Sequence, residues 1–334
     1  MLEHGGNLRD AVIRFRRPLE DWLDLSTGIN PQPYPVPGLA PNAWHRLPEV
    51  DPALAIAAQE YYNAPCMLAV AGTQAAIQML PRLRPFSRVV VAAPAYAEHA
   101  HHWALAGHAM REVAYEELGN AVAECDVMVV CNPNNPTGVT IAPALLLEWA
   151  DKLASRGGWL VVDEAFADTT PMMSVAAQSD RPGLIVLRSV GKFFGLAGLR
   201  LGFVAAHPDL LTALADLLGP WTVSGPAQEI GCRALNDRAW QAAMRTQLLE
   251  SGARLHRLLG YHAIHAGGSA LYQWWAEPKA AVFWQHMAQH GVWVRLFTRG
   301  ACGIRLGLPP DEAGWQRLQQ ALTAWSELER KERK

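Results

Sequence analysis

The sequence is short of the features that mark several large classes of protein. Five cysteines, an odd number with no Cys-x-x-Cys pair, provide neither a disulfide framework nor a metal-ligand spacing, so no metal is expected. No uninterrupted apolar run approaches the length of a membrane span, so no membrane contact is expected. Charged residues make up only 18% of the chain, the formal net charge is −2 and arginine forms no stripe, which argues against a nucleic-acid partner. The one charge run, Glu327 to Lys334, reads as a solvated helix end. No basic segment followed by a continuous apolar stretch opens the chain, so no secretory leader is expected and a reducing cytoplasm is the default setting.

What is abundant is core. Half of the 334 residues are hydrophobic, enough for a large interior and two domains. Isolated tryptophans such as Trp149, Trp240 and Trp325 read as core or interface anchors. The first forty residues read as irregular, because the prolines of Asn30 to Gly38 remove donors and restrain their neighbours. From Asp51, an N-cap before Pro52, helices alternate with short apolar runs: Met67–Ala71, Arg88–Ala93, Val127–Cys131, Trp159–Val162, Leu184–Leu187 and Gly202–Ala205. Most of these runs are continuously apolar, which predicts a mostly parallel sheet buried on both faces, the middle of a three-layer α/β domain. Long helical patterns at Pro208–Leu218 and Pro226–Leu259 then lead to strands near Ser269–Trp275, Val292–Leu296 and Gly303–Leu306, and to a final helix from Asp311. The expected organisation is an N-terminal arm over 1–45, a large domain over 46–220 and a smaller α+β domain over 221–334.

Four clusters fall at predicted strand ends, where open α/β sheets bind ligands. Ser189-Val190-Gly191-Lys192 presents one amine in a glycine-rich turn, eight residues before Arg200. Lysine attacks an aldehyde only as the uncharged amine, so burial or a cationic neighbour must activate it; the plain alternative is a surface lysine in a turn. Gly72-Thr73-Gln74 joins a strand to a helix start, whose N–H groups attract anions, although many such turns contain glycine. Asn132 to Gly138 is either an Asx-type turn or a loop that aims the Asn135 amide into a pocket. Asp163, closing an apolar strand, is either a helix N-cap or a carboxylate that keeps a heteroaromatic nitrogen protonated.

Gly72-Thr73, Asn135-Pro136-Thr137-Gly138, Asp163-x-Ala165, Ser189-x-x-Lys192, Arg200 and Ile304-Arg305-Leu306 occur in the order found in the aspartate-aminotransferase superfamily, the fold type I pyridoxal-phosphate enzymes. The chain resembles that family over nearly its whole length. The resemblance implies pyridoxal 5'-phosphate as cofactor, Lys192 as its covalent anchor and Asp163 on the pyridine nitrogen. It further implies Asn135 on the ring oxygen and Tyr96 stacked on the ring. Gly72, Thr73, Gln74, Ser189 and Arg200 would hold the phosphate, and Arg305 the substrate carboxylate in a bidentate pair. Lys192, Asp163 and Tyr96 would then be the catalytic residues. The histidinol-phosphate-aminotransferase branch carries tyrosines where this chain has Phe166 and Leu47, which removes two hydroxyls from the pattern.

The N-terminal His4-Gly5-Gly6-Asn7 and Gly28-Ile29-Asn30-Pro31 resemble the threonine-phosphate decarboxylases of cobalamin biosynthesis. That narrower resemblance implies a phosphorylated amino-acid substrate, with His4, Gly5, Gly6, Asn30 and Arg295 as further substrate candidates and Arg299 beside them. Glycine N–H groups next to a potential cation suit a phosphate, while the plain alternative is a flexible start. A histidinol-phosphate-type aminotransferase is the competing activity and a non-catalytic regulatory module the third reading. A separate helix-turn-helix segment, which the regulatory reading calls for, is not seen. The family implies a homodimer whose subunits complete each other's site.

Overall fold

The structure is a computed structural model that describes residues 4–298 and 300–332. Its chain forms two compact units: residues 33–135 with 139–245, and residues 1–32 with 136–138 and 246–334.

The larger unit is built on seven strands: β1 (Met67–Val70), β2 (Arg88–Ala93), β3 (Ala109–Ala114), β4 (Val127–Cys131), β5 (Trp159–Asp163), β6 (Leu184–Ser189) and β7 (Gly202–Ala205). They lie side by side in the order β1-β7-β6-β5-β4-β2-β3. Strand β7 runs antiparallel to both neighbours and the other ladders are parallel. Strands β4 and β6 are buried along their whole length, as continuous valine- and leucine-rich runs require when helices cover both faces. The sheet is therefore the mostly parallel α/β layer expected. Strand β3 escapes a hydrophobic reading because it is an edge: in Ala-Met-Arg-Glu-Val-Ala only Val113 is buried.

Helix signals hold in detail. Asp51 accepts from the Ala53 N–H at 2.8 Å with Pro52 following it, and Asn63 closes that helix in the left-handed region. The pattern from Pro226 to Leu259, expected to be one helix, is two: Gly225–Asn236 and Arg238–Tyr261. Asp237 interrupts it by accepting from the Trp240 N–H, while Gln241 donates to the Ala234 and Leu235 carbonyls left open by the first helix. The Gly225–Asn236 helix packs on Pro52–Tyr62, which carries the larger unit past residue 220 to residue 245.

The smaller unit holds a four-stranded antiparallel sheet in the order Arg295–Phe297, Gly303–Gly307, Tyr272–Ala276, Gly267–Ser269. The N-terminal residues belong to it. They are not wholly irregular: Leu8–Phe15 is a helix, and Phe15 meets Trp22, Trp284 and Trp293 edge-on at 5.7–6.2 Å. Strand Leu23–Asp24 pairs with Val292–Trp293. The proline-rich Asn30 to Gly38 segment has neither helix nor strand. No helix among the described residues is long and apolar enough to cross a membrane.

At the carboxyl edge of the large sheet lies a buried charge cluster. Arg188 of β6 donates to Glu164, just past β5, and pairs with Asp168 at 3.2 Å, its guanidinium 4.4 Å from the Tyr62 ring centre. Burial pushes both carboxyl groups above their usual range, and Arg188 opposes that rise. Removing the cation leaves two buried acids without it, at a cost of about 3–5 kcal/mol. Because burial raises their folded-state affinity for protons, the stability lost by Arg188→Met is greatest at high pH and shrinks as the acids protonate. Urea unfolding of Arg188→Met against wild type is expected to show a larger deficit at pH 8 than at pH 5.

Candidate active site

Six strands deliver their carboxyl ends to one edge, and the antiparallel β7 brings its amino end there. Beyond β1, Gly72 turns the chain with φ +73° into the helix Thr73–Met79, designated α1. A Cβ at Gly72 would stand 2.7 Å from Arg200 Nη2, and one at Gly202 would stand 2.7 Å from the Thr73 nitrogen. Glycine at both positions leaves the first N–H groups of α1 bare and lets the guanidinium lie against them, a cradle shaped for an anion. Ser189 ends β6 beside this cradle, and its hydroxyl accepts from the Gly191 N–H.

The same cavity is lined by Tyr96, Asn135, Asp163 and Lys192. Thus all nine residues expected to hold the cofactor line one pocket, together with Cys131, Ala165 and Phe166. Asp163 is buried; its Oδ1 accepts from the Ala165 N–H and its Oδ2 lies 2.9 Å from His99 Nε2. The Lys192 amine lies 5.2 Å from the centre of the Phe166 ring. Phe193 and Phe194, just after it, pack with Trp240, the Phe194 and Trp240 rings stacking 12° from parallel. The turn carrying the amine is therefore anchored by buried aromatic surface. Burial, aided by the Glu98 and Asp163 charges, raises the Tyr96 phenol well above its usual range, so the hydroxyl stays protonated.

The substrate candidates lie in the smaller unit. Arg305 is buried, donates from Nη2 to the Ser26 carbonyl at 2.6 Å and stands over the Tyr272 ring. Burial holds it down to about 10, and the positive charge of Arg295 adds to that. Arg295 and Arg305 are paired across adjacent strands, so two like charges share one place in the ladder. Asn30 is buried and its Oδ1 accepts from the Gln32 N–H, an Asx turn. Gly6 departs from the expectation of an open N–H donor. Gly6 already donates to Ser26 Oγ at 2.7 Å, and Gly5 lies so close that a Cβ would be 2.3 Å from the Ser26 carbonyl oxygen. His4 is exposed, and Arg299 lies outside the described residues.

Two residues escaped the sequence reading. His99, on the helix Ala97–Leu105 (α2), backs Asp163; its signal was an Ala-Glu-His-Ala-His-His stretch directly after Tyr96. Ser26 gathers Asp24, Gly6 and Arg305 around one side chain and its carbonyl, and nothing in its local sequence marks it.

A family profile described as aminotransferase class I and II matches residues 29–327. The chain belongs to that family. It is 53% identical to a threonine-phosphate decarboxylase of Pseudomonas aeruginosa over 98% of this chain and 99% of that one. It is 44% identical to a threonine-phosphate decarboxylase of a Sinorhizobium species over 96% and 97% of the two chains. Among solved structures, the histidinol-phosphate aminotransferase of Sinorhizobium meliloti in complex with pyridoxal-5'-phosphate superposes with a TM-score of 0.81, at 20% identity, over 98% of this chain and 95% of that one. This likeness shows the shared fold.

The cradle yields a test. In Gly72→Ala the new methyl meets Arg200 in a backbone conformation that alanine resists. Loss of one charge-assisted contact predicts roughly tenfold weaker binding of inorganic phosphate or of a phosphorylated ligand, measured by isothermal titration with circular dichroism as the check on folding.

Proposed function

We propose that this chain is a pyridoxal-phosphate-dependent lyase that decarboxylates L-threonine O-3-phosphate to (R)-1-aminopropan-2-ol O-phosphate, a step of cobalamin synthesis. The observation that carries this reading is the 53% identity, almost end to end, with a threonine-phosphate decarboxylase. The pocket's donor set suits the cofactor: an amine for its aldehyde, a carboxylate for its ring nitrogen, an amide for its ring oxygen, and a bare helix start with a guanidinium for its phosphate.

When bound, the cofactor supplies an electron sink beside the substrate's α-carbon. Lys192 would tether it and carry the proton that replaces the lost carboxylate on that carbon. Asp163, braced by His99, would keep the ring nitrogen protonated, and Asn135 would donate to the ring oxygen. Thr73, Gln74, Ser189 and Arg200 would hold the cofactor phosphate, and Tyr96 would pack against its ring. Arg305 takes the substrate carboxylate. Its neighbour Arg295 doubles the positive charge on that stretch of the sheet, which suits a substrate carrying a phosphate as well as a carboxylate. Phe166 and Leu47 stand where the histidinol-phosphate branch has tyrosines, so two hydroxyl contacts of that branch are missing from this chain.

We further propose a homodimer. Trp44, Leu47 and Val50 are 67%, 65% and 90% exposed, and Leu47 lines a groove of about 460 Å³ together with Arg46, Pro48, Asp51, Gln228 and Arg233. Apolar side chains clustered in this way mark a surface that a partner covers. All five cysteines are thiols, in keeping with a reducing cytoplasm.

Wild-type protein loaded with cofactor and given threonine phosphate is expected to release carbon dioxide without forming a keto acid. Amino-group transfer to 2-oxoglutarate without such release would overturn the reading. Lys192→Ala is expected to lose on the order of 10²–10⁴ in turnover, the range assigned to a general acid–base group. In sedimentation velocity the wild type should run as a dimer, and Trp44→Asp with Leu47→Asp should shift it toward monomer.

A further inference from the structure

The first turn of α1 and the start of α2 are joined by a hydrogen-bond network that reaches the pocket wall from outside. The Tyr96 hydroxyl donates to Gln74 Oε1 at 3.1 Å. Gln74 Nε2 donates to Glu98 Oε2 at 2.8 Å, and that same carboxylate oxygen lies 3.1 Å from His102 Nε2. Glu98 and His102 are one helical turn apart on α2 and retain 12% and 14% side-chain exposure. Tyr96 and Gln74 line the pocket, whereas Glu98 and His102 stand behind them.

The chemistry of an amide gives this arrangement a direction. Gln74 has one acceptor end and one donor end. A carboxylate accepts only, so Glu98 fixes the NH₂ group toward itself and turns the carbonyl toward the phenol. Rotating the amide by half a turn would set its carbonyl oxygen against the carboxylate and its NH₂ against the Tyr96 hydroxyl. Among the described residues the other neighbour of this amide, His102 Nε2 at 3.5 Å, can serve as donor or acceptor and so does not select between the two orientations. Tyr96 holds its hydroxyl as a donor because burial and the Glu98 charge both oppose its ionisation. The network therefore has one self-consistent pattern, running from acid to amide to phenol.

We propose that Glu98, steadied by His102, is a positioning residue. It sets the Gln74 amide, and through it the tilt of the Tyr96 ring that faces the cofactor, without touching the cofactor itself. The proposal rests on the reading of this pocket as the pyridoxal-phosphate site. It also explains why the helix that supplies His99 to Asp163 carries a second histidine and an acid on a neighbouring face. One helix braces two groups of the pocket wall, Asp163 through His99 and Tyr96 through Glu98 and Gln74.

The test is a double-mutant cycle read by cofactor binding and by the visible circular dichroism of the bound cofactor, a signal that follows the tilt of the ring against its surroundings. Glu98→Ala and Tyr96→Phe are each expected to weaken cofactor binding about tenfold and to change the dichroism in the same sense. The double variant should be no weaker than either alone, because both remove the same chain of bonds. Glu98→Gln, which keeps an acceptor for Gln74, should restore most of the affinity and the dichroism, and His102→Ala should show a partial loss. Additive losses, or a dichroism unchanged in Glu98→Ala, would overturn the positioning role. Lys192→Ala separates the two readings. If it keeps the wild-type visible spectrum, the assignment of the pocket itself fails; if it loses that spectrum while Glu98→Ala behaves as wild type, only the positioning proposal fails.

Discussion

Strands β5 and β6 end against each other, and a buried charge cluster ties their ends together. Glu164 receives the Arg188 guanidinium and donates its own N–H to the Leu187 carbonyl. Neighbouring residues on an extended chain point to opposite faces. Asp163 and Ser189, each next to a member of the ion pair, therefore face away from it and into the pocket. A buried ion pair need not add net stability over an apolar equivalent, since desolvation offsets much of the attraction. Its value here is geometric. Two strands that could slide past each other in an all-valine sheet are pinned at the point where the carboxylate and the lysine turn must meet one ligand.

A second constraint operates in the smaller unit, and it is electrostatic. Arg295 and Arg305 face each other across a ladder where like charges repel. Burial makes the charge on Arg305 still more expensive. The arrangement is a poor choice for stability and a good one for capture, because an anion that meets both guanidinium groups removes the repulsion as it binds. The larger unit shows the opposite policy: its buried acids Asp163, Glu164 and Asp168 each have a cationic or imidazole neighbour, Asp163 with His99, Glu164 and Asp168 with Arg188.

The parallel sheet was legible in the sequence because its strands are buried on both faces and so read as unbroken apolar runs. Met67, Arg88, Val127, Trp159, Leu184 and Gly202 all begin strands where the pattern starts. What failed to show was amphipathic or interrupted. The edge strand Ala109–Ala114 carries Arg111 and Glu112, the helix Leu8–Phe15 is short and polar on average, and Asp237 breaks a continuous helical pattern through a cap that only the backbone path reveals. The pocket was legible for the same reason as the sheet, since glycine, asparagine and lysine stand out at the ends of apolar strands. Residues acting through others were not. His99 and Glu98 lie on a helix whose alanines and histidines carry no clear period, and Ser26 owes its importance to partners twenty and more residues away.

Ser26 serves its partners in two chemically different ways. Gly6 is held by the side-chain oxygen, and Arg305 by the main-chain carbonyl. The first bond depends on which amino acid occupies the position, while the second depends only on the path of the backbone. Sequence change at residue 26 can therefore loosen the N-terminal loop while sparing the arginine's anchor. The N-terminal loop and the Arg305 anchor can therefore vary separately in evolution, although one residue holds both.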